Sequence, residues 1–193
     1  MEIEMKKAKV LTDKELKKVV DYIDAFDKYA ERNRAMLLLT HLCLLRVGEV
    51  ASLKVCDVVN ADGEINDVIF LTAEQTKGND SRRVFVSKKA KQVLKRYIQS
   101  DLSVLQRTFL FNTQKSKRFN TNALTTLLKR LYERAAIKGA TSHSGRRSGI
   151  TALSVKGVSV RIIAQLANHK HLQTTMGYID CTDNMMQNAV ELL

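Results

Sequence analysis

Six side chains spread along this 193-residue chain are of the types that phosphodiester chemistry needs without a metal ion. Two guanidiniums can hold the non-bridging oxygens of a phosphate and neutralise the charge of a pentavalent phosphorane. A tyrosine hydroxyl, with an ordinary pKa of about 10, becomes a useful nucleophile when a neighbouring base activates it, and it then forms a covalent intermediate. A lysine can protonate a leaving oxygen, and a histidine can move a proton near neutral pH. The candidates are Arg46, Lys77, His143, Arg146, His169 and Tyr178.

Each candidate also has a simpler structural explanation. Arg46 can be a cation near the end of a helix, where the helix dipole favours it. Lys77 can be a solvated residue of a turn, and His143 and Arg146 share a helix face as any surface patch does. The second histidine and the tyrosine can be a polar helix end and a core aromatic with its hydroxyl at the surface. Taken singly, none of the six indicates a site.

Apolar spacing predicts the helices that must carry these side chains. Thr12 and Glu15 form a capping box, and apolar residues at helical spacing follow it to about Asp27. Segments with the same period predict further helices at residues 32–45, 48–53, 87–99, 121–136, 143–155 and 160–167, and a last one from about residue 182 to the end.

Between residues 55 and 86 the apolar period changes from helical to alternating, which is typical of strands. Val68–Leu71 and residues 83–86 are predicted to pair as a β-hairpin, because the turn formers Gly78, Asn79 and Asp80 lie between them. Lys77 then lies near the hairpin tip. The predicted fold class is mainly α with a small antiparallel β-sheet (α+β), in one domain.

The charge balance favours a polyanionic partner. The chain has 32 Lys and Arg against 20 Asp and Glu, a net charge of +12 and a pI of about 9.7. Such a field attracts nucleic acid, with an anionic membrane as the second choice. Against the membrane, no helix pattern combines a basic face with a bulky aromatic and aliphatic face, and no apolar run is long enough to span one.

The cysteines and the chain start point to a reduced, cytoplasmic environment. Cys43, Cys56 and Cys181 are odd in number and lack metal-ligand spacing, so neither zinc nor a disulfide framework is expected. The first ten residues, MEIEMKKAKV, lack the apolar segment of a targeting signal. We expect a cytoplasmic, nucleoid-associated protein.

In its motifs the chain resembles the tyrosine recombinases, the phage integrase family. Leu45-Arg-Val-Gly-Glu49 is similar to the family's first arginine motif, with Glu49 as the acidic residue that supports the site. Thr76-Lys-Gly-Asn-Asp-Ser-Arg82 is similar to the hairpin that delivers the lysine. His143-Ser-Gly-Arg146 matches the His-x-x-Arg motif, although Gly145 stands where the family usually has leucine.

The family's last two motifs also have counterparts. Leu166-Ala-Asn-His169 resembles its Leu-Gly-His segment, with Ala167-Asn168 in place of the usual glycine. Thr174-Thr-Met-Gly-Tyr178 resembles its tyrosine box, nine residues beyond the histidine as in the family. The resemblance runs from Leu11 to Tyr178 and implies the tyrosine recombinase catalytic-domain fold.

The resemblance also implies a mechanism. Tyr178 would attack a DNA phosphate to give a 3′-phosphotyrosyl link and a free 5′-hydroxyl, and the 5′-hydroxyl of a partner strand would then attack that link. Arg46 and Arg146 would hold the phosphate, and Lys77 would be the general acid for the 5′-oxygen.

The two histidines have lesser roles in this scheme. His143 would assist proton transfer and His169 would hydrogen-bond the phosphate. No cofactor or metal is expected, because the covalent link conserves the bond energy.

Two basic clusters are candidates for contact with double-stranded DNA. Three lysines share one face of the helix predicted at residues 87–99, and two lysines and an arginine lie in a predicted loop; Arg147 is a further, less certain contact. Basic residues in such clusters are more often solvated on the surface than in contact with phosphate. The clusters are Lys88, Lys91 and Lys95, and Lys115, Lys117 and Arg118.

The expected organisation is a basic arm at residues 1–10 and a catalytic domain at residues 11–193, without the family's N-terminal core-binding domain. The chain is then either an isolated catalytic domain or a short single-domain member, similar in length to fimbrial-switch invertases. Its last helix either docks on a neighbouring protomer or packs on its own domain.

Three functions follow from these patterns. The first is a site-specific DNA recombinase that exchanges strands through Tyr178 and self-associates on DNA as the family's synaptic tetramer. The second is a DNA-binding regulator on the same fold with weak or no cleavage, which would not need Tyr178 or Lys77. The third is a type IB topoisomerase-like enzyme, which relaxes DNA without exchanging partners.

Overall fold

The protein is described by a computed structural model that covers residues 8–78, 80–179 and 183–191. Within these ranges it is mainly helical with one two-stranded antiparallel sheet, as the sequence predicts. The elements are α1 (Asp13–Phe26), α2 (Ala30–Leu42), α3 (Val47–Ser52), α4 (Val55–Val58), β1 (Val68–Leu71), β2 (Arg82–Phe85), α5 (Lys88–Ser100), α6 (Thr121–Arg134), α7 (Ser144–Val155), α8 (Val160–Ala167), α9 (Leu172–Met176) and α10 (Asp183–Val190).

Some sequence-based expectations lie outside the described residues. They are most of the N-terminal arm, Asn79 of the predicted turn, Cys181, and both ends of the predicted last helix. Of the other two cysteines, Cys43 is buried and Cys56 is exposed. No helix in the described ranges is long and apolar enough to cross a membrane.

The predicted capping box starts α1. The backbone N–H of Glu15 donates to Thr12 Oγ1 at 3.2 Å, and the backbone N–H of Thr12 donates to Glu15 Oε2 at 3.1 Å. Each side chain thereby satisfies a backbone donor that the first helical turn leaves open.

Helix α2 ends at Leu42, three residues before the predicted end at residue 45. Leu44 has a left-handed backbone with φ of 52°, and a helix cannot continue through that conformation. The apolar run continues past the helix end because Leu44 and Leu45 are buried in the loop. The early stop frees the carbonyl of Leu44 for use in the site described below.

The hairpin pairs Val68 with Phe85 and Leu71 with Arg82. Alternate residues of β2 face the interior, and these are Arg82 and Val84. A single 3₁₀ turn at Ala73–Gln75 leads from β1 towards the tip, and Lys77 lies just beyond this turn and is exposed.

The interior contains two apolar clusters of different size. The large one is built from α1 to α6 and both strands, and its fully buried members include Ile23, Leu37 and Leu94. The small one has four buried residues, with further side chains packed against it. Those four are Leu44, Ile150, Ile163 and Ala167.

Two glycines bring α7 against α2. A Cβ at Gly145 would lie 2.1 Å from Thr40 Oγ1, and one at Gly149 would lie 2.3 Å from the carbonyl oxygen of His41. Neither position has room for a side chain. A leucine, which the resemblance implies at position 145, would not fit here, because α2 occupies that space.

Two short helices, α4 and α9, were not predicted. Each spans five residues or fewer, too short for helical apolar spacing to show in the sequence. Helix α9 matters most, because it carries the chain from His169 to Tyr178.

Candidate active site

The start of α3 positions the first arginine and its acidic partner. Arg46 is the N-cap of α3, and its backbone N–H donates to Glu49 Oε2 at 2.7 Å. The same carboxylate reaches the Arg46 side chain, with Glu49 Oε1 3.1 Å from Nη1. Glu49 is only 1% exposed, so its charge must be matched by cations inside the protein.

Arg82 is the first residue of β2, and its side chain faces the interior, where it supplies the second cation beside Glu49. Its Nη2 lies 3.2 Å from Glu49 Oε2, and its guanidinium is buried. Burial lowers the pKa of Arg82, and the neighbouring carboxylate of Glu49 opposes that shift. Arg82 thus shares Glu49 with Arg46.

Arg146, in the first turn of α7, completes a group of three guanidiniums. It is 5% exposed and donates to the carbonyl oxygens of Leu44 and Ala167. Burial is the main cause that lowers the pKa of Arg146 to about 9, and repulsion from Arg46 is the second. The side chain therefore stays charged at neutral pH.

The C-terminal carbonyls of α8 hold all three arginines. Arg82 Nη1 donates to Leu166 at 3.2 Å, Arg46 Nη2 donates to Asn168 at 2.9 Å, and the third arginine donates to the carbonyl between them. The last carbonyls of a helix lack helical partners and carry partial negative charge, so they suit cations. Because two of these arginines, Arg46 and Arg146, are expected from the sequence to hold a phosphate, we call Arg46, Glu49, Arg82 and Arg146 the phosphate clamp.

Asn168, at the C-terminal end of α8, stands where the resemblance described above implies a glycine. Its φ is 50°, in the left-handed region, and it caps α8. Asparagine tolerates this conformation better than other side-chain-bearing residues. The exchange therefore preserves the turn that leads into His169.

His169 links the clamp to the tyrosine. Its Nε2 lies 3.1 Å from Arg146 Nη2, and its Nδ1 lies 2.8 Å from Thr175 Oγ1. Because arginine only donates, Nε2 must accept and the proton sits on Nδ1. Burial and the nearby arginines, Arg146 first, lower the pKa of His169 to about 4, so the ring is neutral at physiological pH.

Tyr178 lies beside this group in the same chain. Its ring stacks on the His169 ring with a centroid distance of 5.5 Å and an interplanar angle of 18°. The guanidinium carbon of Arg147 lies 5.6 Å from the Tyr178 ring centroid, and Thr151 Oγ1 donates to the Tyr178 carbonyl at 3.1 Å. The tyrosine is half-buried against the small apolar cluster.

Lys77 and His143 lie on an open cavity of about 570 Å³ that Arg46 and Glu49 also line. His143 is the N-cap of α7, and its backbone N–H donates to Thr141 Oγ1 at 3.2 Å. Partial burial, Arg146 and Lys77 all lower the pKa of His143, so the imidazole is biased towards its neutral, proton-accepting form. The cavity thus joins the lysine and this histidine to the clamp.

The three lysines singled out on one predicted helix face do not join this group. Lys88, Lys91 and Lys95 lie on α5 and do not line the cavity. Lys91 pairs with Asp67 at 2.7 Å and Lys95 with Glu64 at 2.6 Å.

Two further predicted DNA contacts differ in exposure. Arg118 lines the cavity and is exposed. Arg147 was expected at the DNA surface but is 6% exposed, because its side chain turns inward towards Tyr178.

Sequence reasoning missed Arg82 and Thr175 as members of the site. Arg82 had a signal, because it occupies an inward position of an alternating strand where an apolar residue is normal. Thr175 had none, since its contact with His169 depends on the unpredicted helix α9. Across the described ranges, no group of three or more His, Cys, Asp or Glu residues has the arrangement of a metal site.

Comparison with known sequences identifies relatives over almost the whole chain. The profile of the phage integrase family matches residues 9–185. The tyrosine recombinase XerA of Pyrococcus furiosus is 30% identical over 184 residues, which cover 95% of this chain and 61% of that protein. Transposase A from transposon Tn554 of Staphylococcus aureus is 27% identical, with coverages of 97% and 53%.

Solved structures share the fold. A crystal structure of XerA recombinase matches with a TM-score of 0.77 at 24% identity, covering 95% of this chain and 64% of that one. XerH bound to a palindromic difH substrate, in a post-cleavage complex, matches with a TM-score of 0.73 at 21% identity, covering 98% and 54%. The chain therefore spans less than two thirds of the length of each of these relatives.

Proposed function

The chain belongs to the phage integrase family, the tyrosine recombinases, and from this we propose that it is a site-specific DNA recombinase of the integrase or invertase type. It cleaves and rejoins DNA strands through a 3′-phosphotyrosyl intermediate. Double-stranded DNA is the partner, and the reaction takes place on a synaptic tetramer in the cytoplasm, at the nucleoid.

The phosphate clamp is the observation that carries this proposal. Two guanidiniums pair with one buried carboxylate and a third lies near them, so the group has an excess of positive charge in a partly desolvated site. Such an excess is costly unless an anion completes it. A DNA phosphate supplies that anion, and its charge grows in the phosphorane, where preorganised donors act most strongly.

The first half of the reaction uses the tyrosine and the lysine. Tyr178 Oη attacks the phosphorus, and the bond from phosphorus to the 5′-oxygen breaks. Lys77, on the cavity wall, gives a proton to the leaving 5′-oxygen. Arg46 and Arg146 hold the non-bridging oxygens while the phosphorane forms.

The histidines act around this step. His143, with its lowered pKa, takes the phenolic proton as Tyr178 attacks. His169 is neutral and hydrogen-bonded to Arg146, so it holds that guanidinium beside the phosphate. A contact from His169 Nε2 to the phosphate itself requires the ring proton to move from Nδ1 to Nε2.

Strand rejoining reverses the chemistry. The 5′-hydroxyl of a partner strand attacks the phosphotyrosyl link, Lys77 accepts its proton, and Tyr178 leaves with a proton returned by His143. No cofactor is needed, because the link retains the free energy of the broken bond. Contacts from Lys88, Lys91 and Lys95 to the DNA backbone stay a prediction, weakened for the last two by their ion pairs.

A nicked suicide DNA substrate tests the proposal. Loss of the short strand next to the nick prevents rejoining, so cleavage leaves a protein–DNA adduct that resists denaturant. We expect the wild type to form this adduct and Tyr178→Phe to bind the same DNA without forming it. An adduct that persists in Tyr178→Phe would contradict the assignment of the nucleophile, and binding without any adduct would favour a DNA-binding regulator.

A further inference from the structure

Arg147 is a largely buried cation in the first turn of α7. It is 6% exposed, and its Nε has no hydrogen-bond partner among the described residues. A buried N–H donor without a partner costs free energy. The face of the Tyr178 ring, 5.6 Å from the central carbon of the Arg147 guanidinium, is a group that can attract this cation.

Thr151 touches the same tyrosine from one turn further along α7. Its Oγ1 donates to the Tyr178 carbonyl at 3.1 Å. Residues 147 and 151 are four apart, so they share one face of the helix. That face holds both the ring and the backbone of the tyrosine.

The neighbouring residue of α7, Arg146, belongs to the phosphate clamp. Arg146 donates to the carbonyls of Leu44 and Ala167, while Arg147 turns to the tyrosine. One rigid helix therefore fixes the distance between the phosphate-binding guanidinium and the ring of the nucleophile. Preorganisation of this kind shortens the search for the attacking geometry.

Besides this face of α7, Tyr178 contacts the stacked His169 ring and a small apolar cluster. The residues before it, Met176 and Gly177, are exposed. The apolar cluster behind its ring has only four buried members. Apolar packing alone therefore restrains the position of the Tyr178 ring only weakly.

We propose that Arg147 and Thr151 form a dock on α7 that holds Tyr178 in position to attack the phosphate, with Arg147 as a positioning residue. The inference rests on the proposed function. Arg147 attracts the electron-rich ring face, and its charge also favours the phenol oxygen as it becomes negative during attack. Thr151 fixes the backbone from which the ring extends.

The first test measures the rate of adduct formation on the suicide substrate at saturating DNA. Arg147→Gln keeps much of the side-chain volume and loses the charge, and we expect it to react about thirtyfold more slowly. Arg147→Lys keeps the charge and should recover part of the rate. Thr151→Val should be about fivefold slower, the effect of one lost hydrogen bond.

Arg161→Gln is the matched control, because Arg161 is exposed on α8 and its loss changes the net charge equally. DNA affinity should be the same in Arg147→Gln and in this control. In the DNA-free protein, the NMR signals of the Tyr178 ring, identified by their absence in Tyr178→Phe, should shift in Arg147→Gln and stay in place in the control.

A second reaction separates positioning of the tyrosine from activation of the phosphate. In Tyr178→Phe, hydrogen peroxide can attack the phosphorus in place of the phenol and release the 5′-hydroxyl. Adding Arg147→Gln to that variant should leave the peroxide reaction unchanged, because no ring has to be held.

Equal adduct rates for Arg147→Gln and Arg161→Gln would overturn the proposal. So would a peroxide reaction slowed as much as the tyrosine reaction, because the effect would then lie at the phosphate or in the fold. A wild type that forms no adduct, with Tyr178→Phe inert to peroxide, would instead remove the proposed function and this inference with it.

Discussion

The phosphate clamp and the tyrosine that faces it are held in different ways. In the clamp, Glu49, Arg82 and Arg146 are buried, and the three arginines are tied to the carboxylate or to backbone carbonyls of α8. Tyr178 is half-buried, follows an exposed glycine, and meets a small apolar cluster and three polar neighbours. Burial, ion pairs and hydrogen bonds thus restrain the side chains of the clamp, whereas few contacts hold the tyrosine.

The difference matches what each part has to do in the proposed reaction. Donors that stabilise a transition state work best when they are fixed beforehand, because no reorganisation is then needed during the reaction. A nucleophile that forms a covalent bond to DNA and later leaves it must move with the strand. We therefore expect changes in the clamp to cost more than changes around the tyrosine.

Removing the buried arginine of the clamp should have the largest effect. Arg146→Ala loses the charge and the guanidinium that the proposal assigns to the phosphate, so we expect adduct formation to fall about 10²-fold to 10³-fold. Arg146→Lys should recover little, because an ammonium lacks the planar fork. Single-turnover cleavage at saturating DNA measures both, with Arg161→Ala as the surface control, and near-normal cleavage by Arg146→Ala would show that the clamp is not the phosphate site.

The carboxylate at the centre of the clamp should control its stability. Glu49→Gln leaves three guanidiniums without their acidic partner, which should lower the free energy of unfolding by about 3 kcal/mol. Sulfate should restore part of that loss in urea titrations, because the anion replaces the missing charge. Glu64→Gln, which removes a carboxylate at an exposed ion pair, should change little; a Glu49→Gln protein as stable as this control would contradict the buried-charge account.

The packing that sets the position of α7 should be sensitive to a single methyl group. Gly145→Ala places a Cβ 2.1 Å from Thr40 Oγ1, so we expect a loss of about 1–3 kcal/mol in the free energy of unfolding. Combining it with Thr40→Ala should recover part of the loss, since the clashing hydroxyl is gone. Strictly additive losses in the double variant would mean that the two helices do not press on each other there.

The smallest effect is a pH dependence at the contact between clamp and tyrosine. The pKa of His169 falls from 6.5 to about 4 on folding, so the unfolded chain binds its proton more readily than the folded one. Stability should therefore decrease as the pH falls from 6.5 towards 4, and less so in His169→Gln. His41 and His143, whose pKa values burial also lowers, contribute in the same direction.

Thermal unfolding between pH 4 and pH 7 measures this slope. The control is His171→Gln, because His171 is exposed on the same loop. An equal slope in the wild type and His169→Gln would show that the ring protonates freely in the folded protein.

The sequence predicted the fold class and the composition of the clamp better than its arrangement. Arg46, Glu49 and Arg146 are found by their motifs, and the capping box and hairpin by local rules that need no tertiary information. The burial of Arg147 could not be read, because helix geometry sends Arg146 and Arg147 to different sides but does not say which sides the rest of the protein covers. The inward position of Arg82 on β2 is visible in the alternation, but its contacts with the carbonyls of α8 are not, because they join segments far apart in the chain.

The central claim is that the clamp and the tyrosine of one chain act on the same phosphate. The direct measurement mixes Arg146→Ala with Tyr178→Phe on the suicide substrate and looks for an adduct above the level of either variant alone. If both parts act within one chain, each variant lacks one of them, and the mixture should form no more adduct than its components. An adduct restored by mixing would show that the tyrosine of one chain attacks a phosphate held by another, and would contradict the account.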